Sequence, residues 1–198
     1  MKILFLSANP KKTRRLRLDK EFWEIRGSIV VSKARDEVFI QFRTAVNNKK
    51  IQDFIVDEKP DIVHFSGHGN SQGEIILEDE KRDPKPISSE EFAAMFKVMD
   101  NRIKCVVLSC CYSAIAAKEI GRFVDFVIGI KTDLEDESAI AFASGFYLAL
   151  GENKDLQLAF DFAVNEFLLK GGQIEEKPEL FIRSGINPSH TFFIKENK

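Results

Sequence analysis

Two short stretches of this sequence carry side chains suited to nucleophilic chemistry. One is HFSGHGN, residues 64–70, in which glycines flank His68; the other is VVLSCCYSAIAA, residues 106–117, in which Cys110 and Cys111 follow an apolar run. An imidazole that draws the proton from a thiol produces a sulfur able to attack a carbonyl. Glycine is kept where backbone turns sharply or passes close to something, so Gly67 and Gly69 predict that His68 is delivered to the edge of a sheet. The cysteines lie where an apolar run passes into a helical pattern. The free amides of a helix start favour thiolate over thiol and can hold an oxyanion, and the Gly69 amide offers a second donor. Adjacent residues of an extended chain face opposite ways, so at most one of Cys110 and Cys111 meets a cleft. Cys105, inside the apolar run, reads as core.

Other chemistries fit less well. His64 and His68 have a zinc-like separation, but four residues of extended chain cover roughly 13 Å, too far for one ion. Cys110 and Cys111 are adjacent rather than spaced as C-x₂-C, and His190, the third histidine, reads as a surface residue. A nucleotide or phosphate binder needs a glycine-rich loop after its first strand, and SANPKK has no glycine. The basic run KKTRRLR at residues 11–17 is closely followed by Asp and Glu and reads as a solvated loop face. No metal and no cofactor is expected.

The elements that must position His68 and the cysteines follow from periodicity. MKILFLSA, EVFIQF, DIVHFS, KCVVLS and VDFVIGI are short apolar or β-branched runs and predict strands; ELFIRS and HTFFIK are further strand candidates. Helical spacing recurs over residues 18–34, 48–59, 92–99, 112–123, 137–150 and 156–169. Ser88 and Glu91 have capping-box spacing before the third of these helices. GEIILED, before the proline-rich KRDPKP, predicts an edge hairpin. Alternating strands and helices imply a three-layer α/β/α sandwich around a mainly parallel sheet, in one domain over residues 1–198. In such sheets ligands meet the carboxyl ends of the strands, which here offer residues 7–9, 66–70, 109–113 and 131–136.

Composition agrees. The 198 residues are 44% hydrophobic and 30% charged with a net charge of −2, which suits a globular domain and gives no general affinity for nucleic acid or acidic lipid. No stretch approaches the ~20 apolar residues of a membrane span. MKILFLSANP is too short in its apolar part, and too soon basic, for a secretory signal. A cytoplasmic protein with reduced thiols is the expectation.

HFSGHG followed by VVLSCCYS resembles the histidine and cysteine boxes of the caspase-like cysteine peptidases of clan CD. The likeness is greatest to their prokaryotic CHAT-domain branch, which MKILFLSANP…LRLDKEFWEI and VIGIKTDLEDESAIAFASGFYLAL also resemble. The resemblance implies the caspase-like fold, with His68 as catalytic histidine and Cys111 as nucleophile, 43 positions later. Cys110 then stands where relatives carry a small residue. The amides of Gly69 and Cys111 would hold the oxyanion. The function implied is a cysteine endopeptidase without cofactor, acting on a protein substrate as a regulated effector in prokaryotic defence or programmed cell death. A separate regulatory or sensor protein would control it; the alternative is a pseudoprotease that only binds. No orienting acid for His68 is evident. The pocket for the residue before the scissile bond is expected from Ser7, Asn9, Ser109, Asp133, Glu135 and Asp136. Relatives that cut after a basic residue often carry an acid two positions before the nucleophile, where this chain has Ser109. The acids of KTDLEDES nonetheless predict a basic or neutral residue there rather than an acidic one.

Overall fold

The computed structural model describes residues 1–99 and 103–194. The chain runs β1 (Lys2–Ser7), α1 (Leu18–Val31), β2 (Phe39–Arg43), α2 (Asn48–Glu58), β3 (Ile62–Ser66) and the two-residue β4 (His68–Gly69). It continues through β5 (Ile75–Glu78), β6 (Pro84–Ile87), α3 (Ser89–Lys97), β7 (Cys105–Ser109), α4 (Ala114–Ile120) and β8 (Phe126–Gly129). The long helices α5 (Asp136–Gly151) and α6 (Leu156–Leu169) and the strand β9 (Glu179–Ile182) complete it. Local chemistry sets several boundaries. Asn47 and Asp155 cap α2 and α6 through their side chains, and Ser88 with Glu91 closes the expected capping box on α3.

The main sheet has the order β2-β1-β3-β7-β8-β9, parallel except for β9, which runs antiparallel to β8. Its side chains alternate between two cores. Leu4, Leu6, Val63, Phe65, Val106 and Leu108 pack with α2, α3 and α4. Ile3, Phe5, Ile62, Cys105 and Val107 pack with α1, α5 and α6 on the other face. The result is the expected three-layer α/β/α sandwich. Among the described residues no helix is long and apolar enough to cross a membrane.

Three local readings change. His68–Gly69 is the first strand of a second, antiparallel sheet, β4-β5-β6, rather than a bare turn. KRDPKP is partly strand in that sheet, its prolines tolerated because β6 is an edge. HTFFIK forms no strand over residues 190–194, with a 3₁₀ turn at Pro188–His190 before it, and Lys195 lies outside the described residues. His190 is exposed, as expected.

Candidate active site

Beyond Ser109 the chain turns through Cys110–Ser113 into α4, and the strand's alternation continues for two residues. Cys110 falls on the α3/α4 side, 4% exposed among core residues, where burial pushes its thiol far up. Cys111 falls on the α1 side, half-buried, and its Sγ accepts the Leu134 amide at 3.4 Å. Tyr112 adopts the left-handed region, φ 55°, an uncommon conformation for a residue with a side chain. It is held by its amide, which donates to Thr132 O at 3.2 Å, and by its hydroxyl, which donates to Asp133 at 3.3 Å. Buried Ser113 secures the turn: its hydroxyl donates to Leu108 O at 3.1 Å and accepts from the Ile130 amide at 3.0 Å. The Cys111 amide donates to no other described residue.

The sulfur's environment differs from the expectation of a thiolate at a helix start. Helix α4 begins only at Ala114 and is 7 residues long. Burial, reinforced by the charge of Asp133, pushes the Cys111 thiol up, and the Leu134 amide only partly opposes this.

His68 sits one residue from a close backbone crossing. A Cβ on Gly69 would stand 2.1 Å from the Cys111 carbonyl oxygen, and one on Gly67 3.0 Å from the Ala8 oxygen. Neither glycine has positive φ, so close approach rather than turning explains both. Asn70 donates its amide to Glu74 O at 3.2 Å, and ladder alternation then turns the Gly69 amide away from β5. The imidazole is oriented by the basic loop. The Thr13 hydroxyl donates to Pro10 O at 2.8 Å, so at its 3.1 Å contact with His68 Nε2 it accepts. Nε2 therefore carries the hydrogen and Nδ1 the lone pair of the neutral ring. Burial lowers the His68 pKa, with the Arg14 backbone and the Asp136 charge pulling partly against it. His68 and Cys111 share no hydrogen bond. Thr13 lay unnoticed in the sequence because a hydroxyl among five cations carries no pattern of its own. The rest of KKTRRLR is largely exposed.

A narrow cleft of about 40 Å³ opens beside Cys111 between β3, β7, α1 and the start of α5. Arg17, Glu21, Ser66, Gly67, Ser109 and the edge of Cys110 line it together with Leu16, Leu18, Leu134, Asp136, Ala139 and Ile140. Glu21 is buried, 4% exposed, on the inner face of α1. It accepts His64 Nε2–H at 3.1 Å and the Ser66 hydroxyl; the ring's Nδ1 lies 3.2 Å from the Tyr147 hydroxyl, and Phe5 stacks on it at 4.7 Å. Burial alone would raise the Glu21 pKa, but the hydrogen bonds and charge of His64, with the Ser66 and Ser109 hydroxyls, bring it below the ordinary carboxyl value. At the rim, Arg17 and Lys20 of the α1 end both pair with Glu137 of α5.

The structure divides the expected pocket residues. Ser109 and Asp136 line the cleft. Ser7 is buried on β1, level with Ser66. Asn9 is turned toward the basic loop, its side chain donating to Leu16 O at 3.3 Å and its amide held by Glu78 at 2.8 Å. Asp133 is engaged by Tyr112, and Glu135 is an exposed residue preceding α5. None of Ser7, Asn9, Asp133 and Glu135 lines the cleft. Glu21 was missing from the expected set, because an acid within LDKEFWEI looks like any other first-turn glutamate until α1 is packed. Among the described residues no three His, Cys, Asp or Glu side chains gather as a metal-binding set.

Known proteins bear on this arrangement. No family model matches the chain. It is 28% identical over 167 residues to a "Probable protease" from Gillisia limnaea, covering 82% of the chain and 30% of that protein. It is 29% identical over 165 residues to a "Roc-COR-CHAT protease" from an unknown prokaryotic organism, covering 80% of the chain and 16% of that protein. The chain thus spans less than a third of either relative. Among solved structures it superposes on caspase-1 from Spodoptera frugiperda with a TM-score of 0.60 at 9% identity, over 91% of this chain and 84% of that one. The Drosophila initiator caspase Dronc gives 0.52 at 11%, over 92% and 81%. The chain has the caspase fold and is similar in sequence to one protein named a probable protease and to one named a Roc-COR-CHAT protease.

Proposed function

We propose that this domain is a cysteine endopeptidase with Cys111 as nucleophile and His68 as acid–base. The single observation that carries the reading is the pairing at the crossing: a half-buried thiol on the cleft side, with the histidine loop packed against its own backbone. His68 Nδ1 takes the thiol proton as sulfur attacks the peptide carbonyl, and the tetrahedral oxyanion is held by the amides of Gly69 and Cys111. The imidazolium then protonates the departing amine, and water releases the acyl-enzyme with the ring again as base. Thr13, through Nε2, keeps the ring turned with Nδ1 free. Because burial and the charge of Asp133 push the Cys111 thiol up, sulfur deprotonation and attack are read as one step rather than as a standing thiolate–imidazolium pair.

The biological setting we infer is a regulated cytoplasmic effector of prokaryotic defence or programmed cell death, acting on a protein substrate under control of a sensor. The support is the protease relatives, whose extra length holds room for regulatory parts. The test is replacement of each sulfur in turn. Cys111→Ala is expected to lower peptide hydrolysis by about a thousandfold or more while the fold is retained, and Cys110→Ala to keep most of it. Loss in Cys110→Ala with turnover by Cys111→Ala would overturn the assignment. Failure of iodoacetamide to distinguish wild type from His68→Ala at Cys111, with no peptide hydrolysed, would favour the binding-only alternative.

A further inference from the structure

Strand β2 is an edge of the main sheet: among the described residues it pairs with β1 and with no strand on its other side. An unpaired edge is ordinarily guarded by lysine, proline or a bulge. β6 is guarded in that way, by Pro84, Lys85 and Pro86. β2, with the sequence FIQFR, is not, and its one charge, Arg43, is already paired with Glu58. Phe39 stands 63% exposed on this edge. Trp23, 59% exposed on α1, lies edge-on to Phe22, which stacks on Phe42 at 4.4 Å.

We propose that β2 pairs antiparallel with β2 of a second copy of this chain, about a twofold axis at Gln41, so that one sheet runs through both copies. The backbone sets the phase. The Phe39 amide donates to Met1 O at 3.0 Å, so Phe39, Gln41 and Arg43 turn their amides and carbonyls to β1, while Ile40 and Phe42 turn theirs outward. An axis at Gln41 sets Ile40 opposite the second copy's Phe42, and the reverse. These are the residues whose backbone groups are free, and each such pair exchanges both of its hydrogen bonds. Of the symmetric registers, only this one pairs all five residues of the strand. The side chains fit the same register. Ile40 and Phe42 share the α1 side and meet as an apolar pair next to Trp23. On the α2 side Phe39 meets the second copy's Arg43, whose guanidinium lies over the Phe54 ring at 5.4 Å, and Gln41 meets Gln41. No like charges stand opposite one another. The occupant is a second copy because the strand is complementary to itself in both backbone phase and side-chain order.

The test is the oligomeric state of the chain and of charge variants at the axis. Sedimentation equilibrium at about 1–100 μM is expected to show monomer and dimer in exchange. Gln41 is exposed, so its replacement leaves the core untouched. Gln41→Lys and Gln41→Glu each set like charges opposite one another across the axis, and each is expected to weaken the dimer about tenfold. An equimolar mixture of the two is expected to recover wild-type association, which also shows that both variants fold. Ile182→Lys, at an exposed position of the opposite edge strand β9, is expected to change nothing. A wild-type chain that stays monomeric to about 100 μM overturns the proposal, whatever else that edge binds. A dimer that neither Gln41 variant weakens overturns it too, and loss in Ile182→Lys would then place the contact at β9. Weakening by both Gln41 variants without recovery in the mixture overturns the axis at Gln41.

Discussion

Cys110 and Cys111 are one peptide bond apart and chemically alike, yet Cys110 is 4% exposed among core residues while Cys111 is half-buried with its Sγ at the Leu134 amide. Strand alternation carried past Ser109 is the whole cause. The histidine is oriented instead by a contact distant in sequence. Thr13 takes the Nε2 hydrogen, so Nδ1 is the basic atom, and Thr13→Val should misplace that atom without touching sulfur. A fall of roughly tenfold in kcat with KM little changed, measured on a peptide substrate, is expected; Thr13→Ser should restore most of it. The pH profile follows from two displaced groups. On the proposed mechanism His68 acts as a neutral base, and burial lowers its pKa, so the acid limb of kcat/KM should have its midpoint below about 6.5. The Cys111 thiol is pushed up, so no alkaline limb is expected below about 8.5. An acid midpoint above 7 would show that the group observed is not His68 in this setting.

At the scale of elements, the site depends on where two backbones cross. β4 is only two residues long, and its Gly69 lies against the carbonyl of Cys111. Gly69→Ala would put a methyl group into backbone that has no side-chain freedom to yield. Destabilisation of roughly 1–3 kcal/mol in urea unfolding is expected, with loss of peptidase activity, because overpacking is relieved only by moving the crossing apart. Gly67→Ala should cost less, its nearest neighbours being at 3.0 Å rather than 2.1 Å. The turn after β7 has a comparable dependence on Ser113, whose hydroxyl serves two buried backbone groups at once. Ser113→Ala should cost about 1–3 kcal/mol by the same measurement, since both groups lose a partner.

For the molecule as a whole, the buried ionisable groups couple folding to acid. The Glu21 carboxyl is held below its ordinary value, so its contribution to stability is present above the unfolded carboxyl pKa and is lost as pH falls through the folded one. The His68 pKa is also depressed. The unfolded chain therefore binds that proton first, and stability falls as pH drops from about 6.5 toward the folded value. Urea unfolding should accordingly show a loss between pH 7.5 and 5.5 that His68→Gln reduces, and a steeper loss below about 4.5 that Glu21→Gln reduces. An equal loss in wild type and His68→Gln over the first interval would remove His68 from that account.

Most of the fold was legible in the chain, because doubly covered strands must be short apolar runs and the helices between them must repeat at 3.6 residues. The pair of boxes around His68 and Cys111 was legible too, since glycine, histidine and cysteine are few and their placement at strand ends is local. HTFFIK misled because aromatic residues at a chain's apolar margin look like strand whether or not a partner edge is free. Tertiary structure alone decided the rest. The role of Gly69 appears only when β4 meets Cys111 in the turn after β7, 42 residues later in sequence. Thr13 reaches His68, and Glu21 reaches His64 and Ser66, across 55, 43 and 45 positions. Local sequence determines which atoms a segment presents and to which side. What those atoms meet depends on packing between segments, and no period or motif within either segment records it.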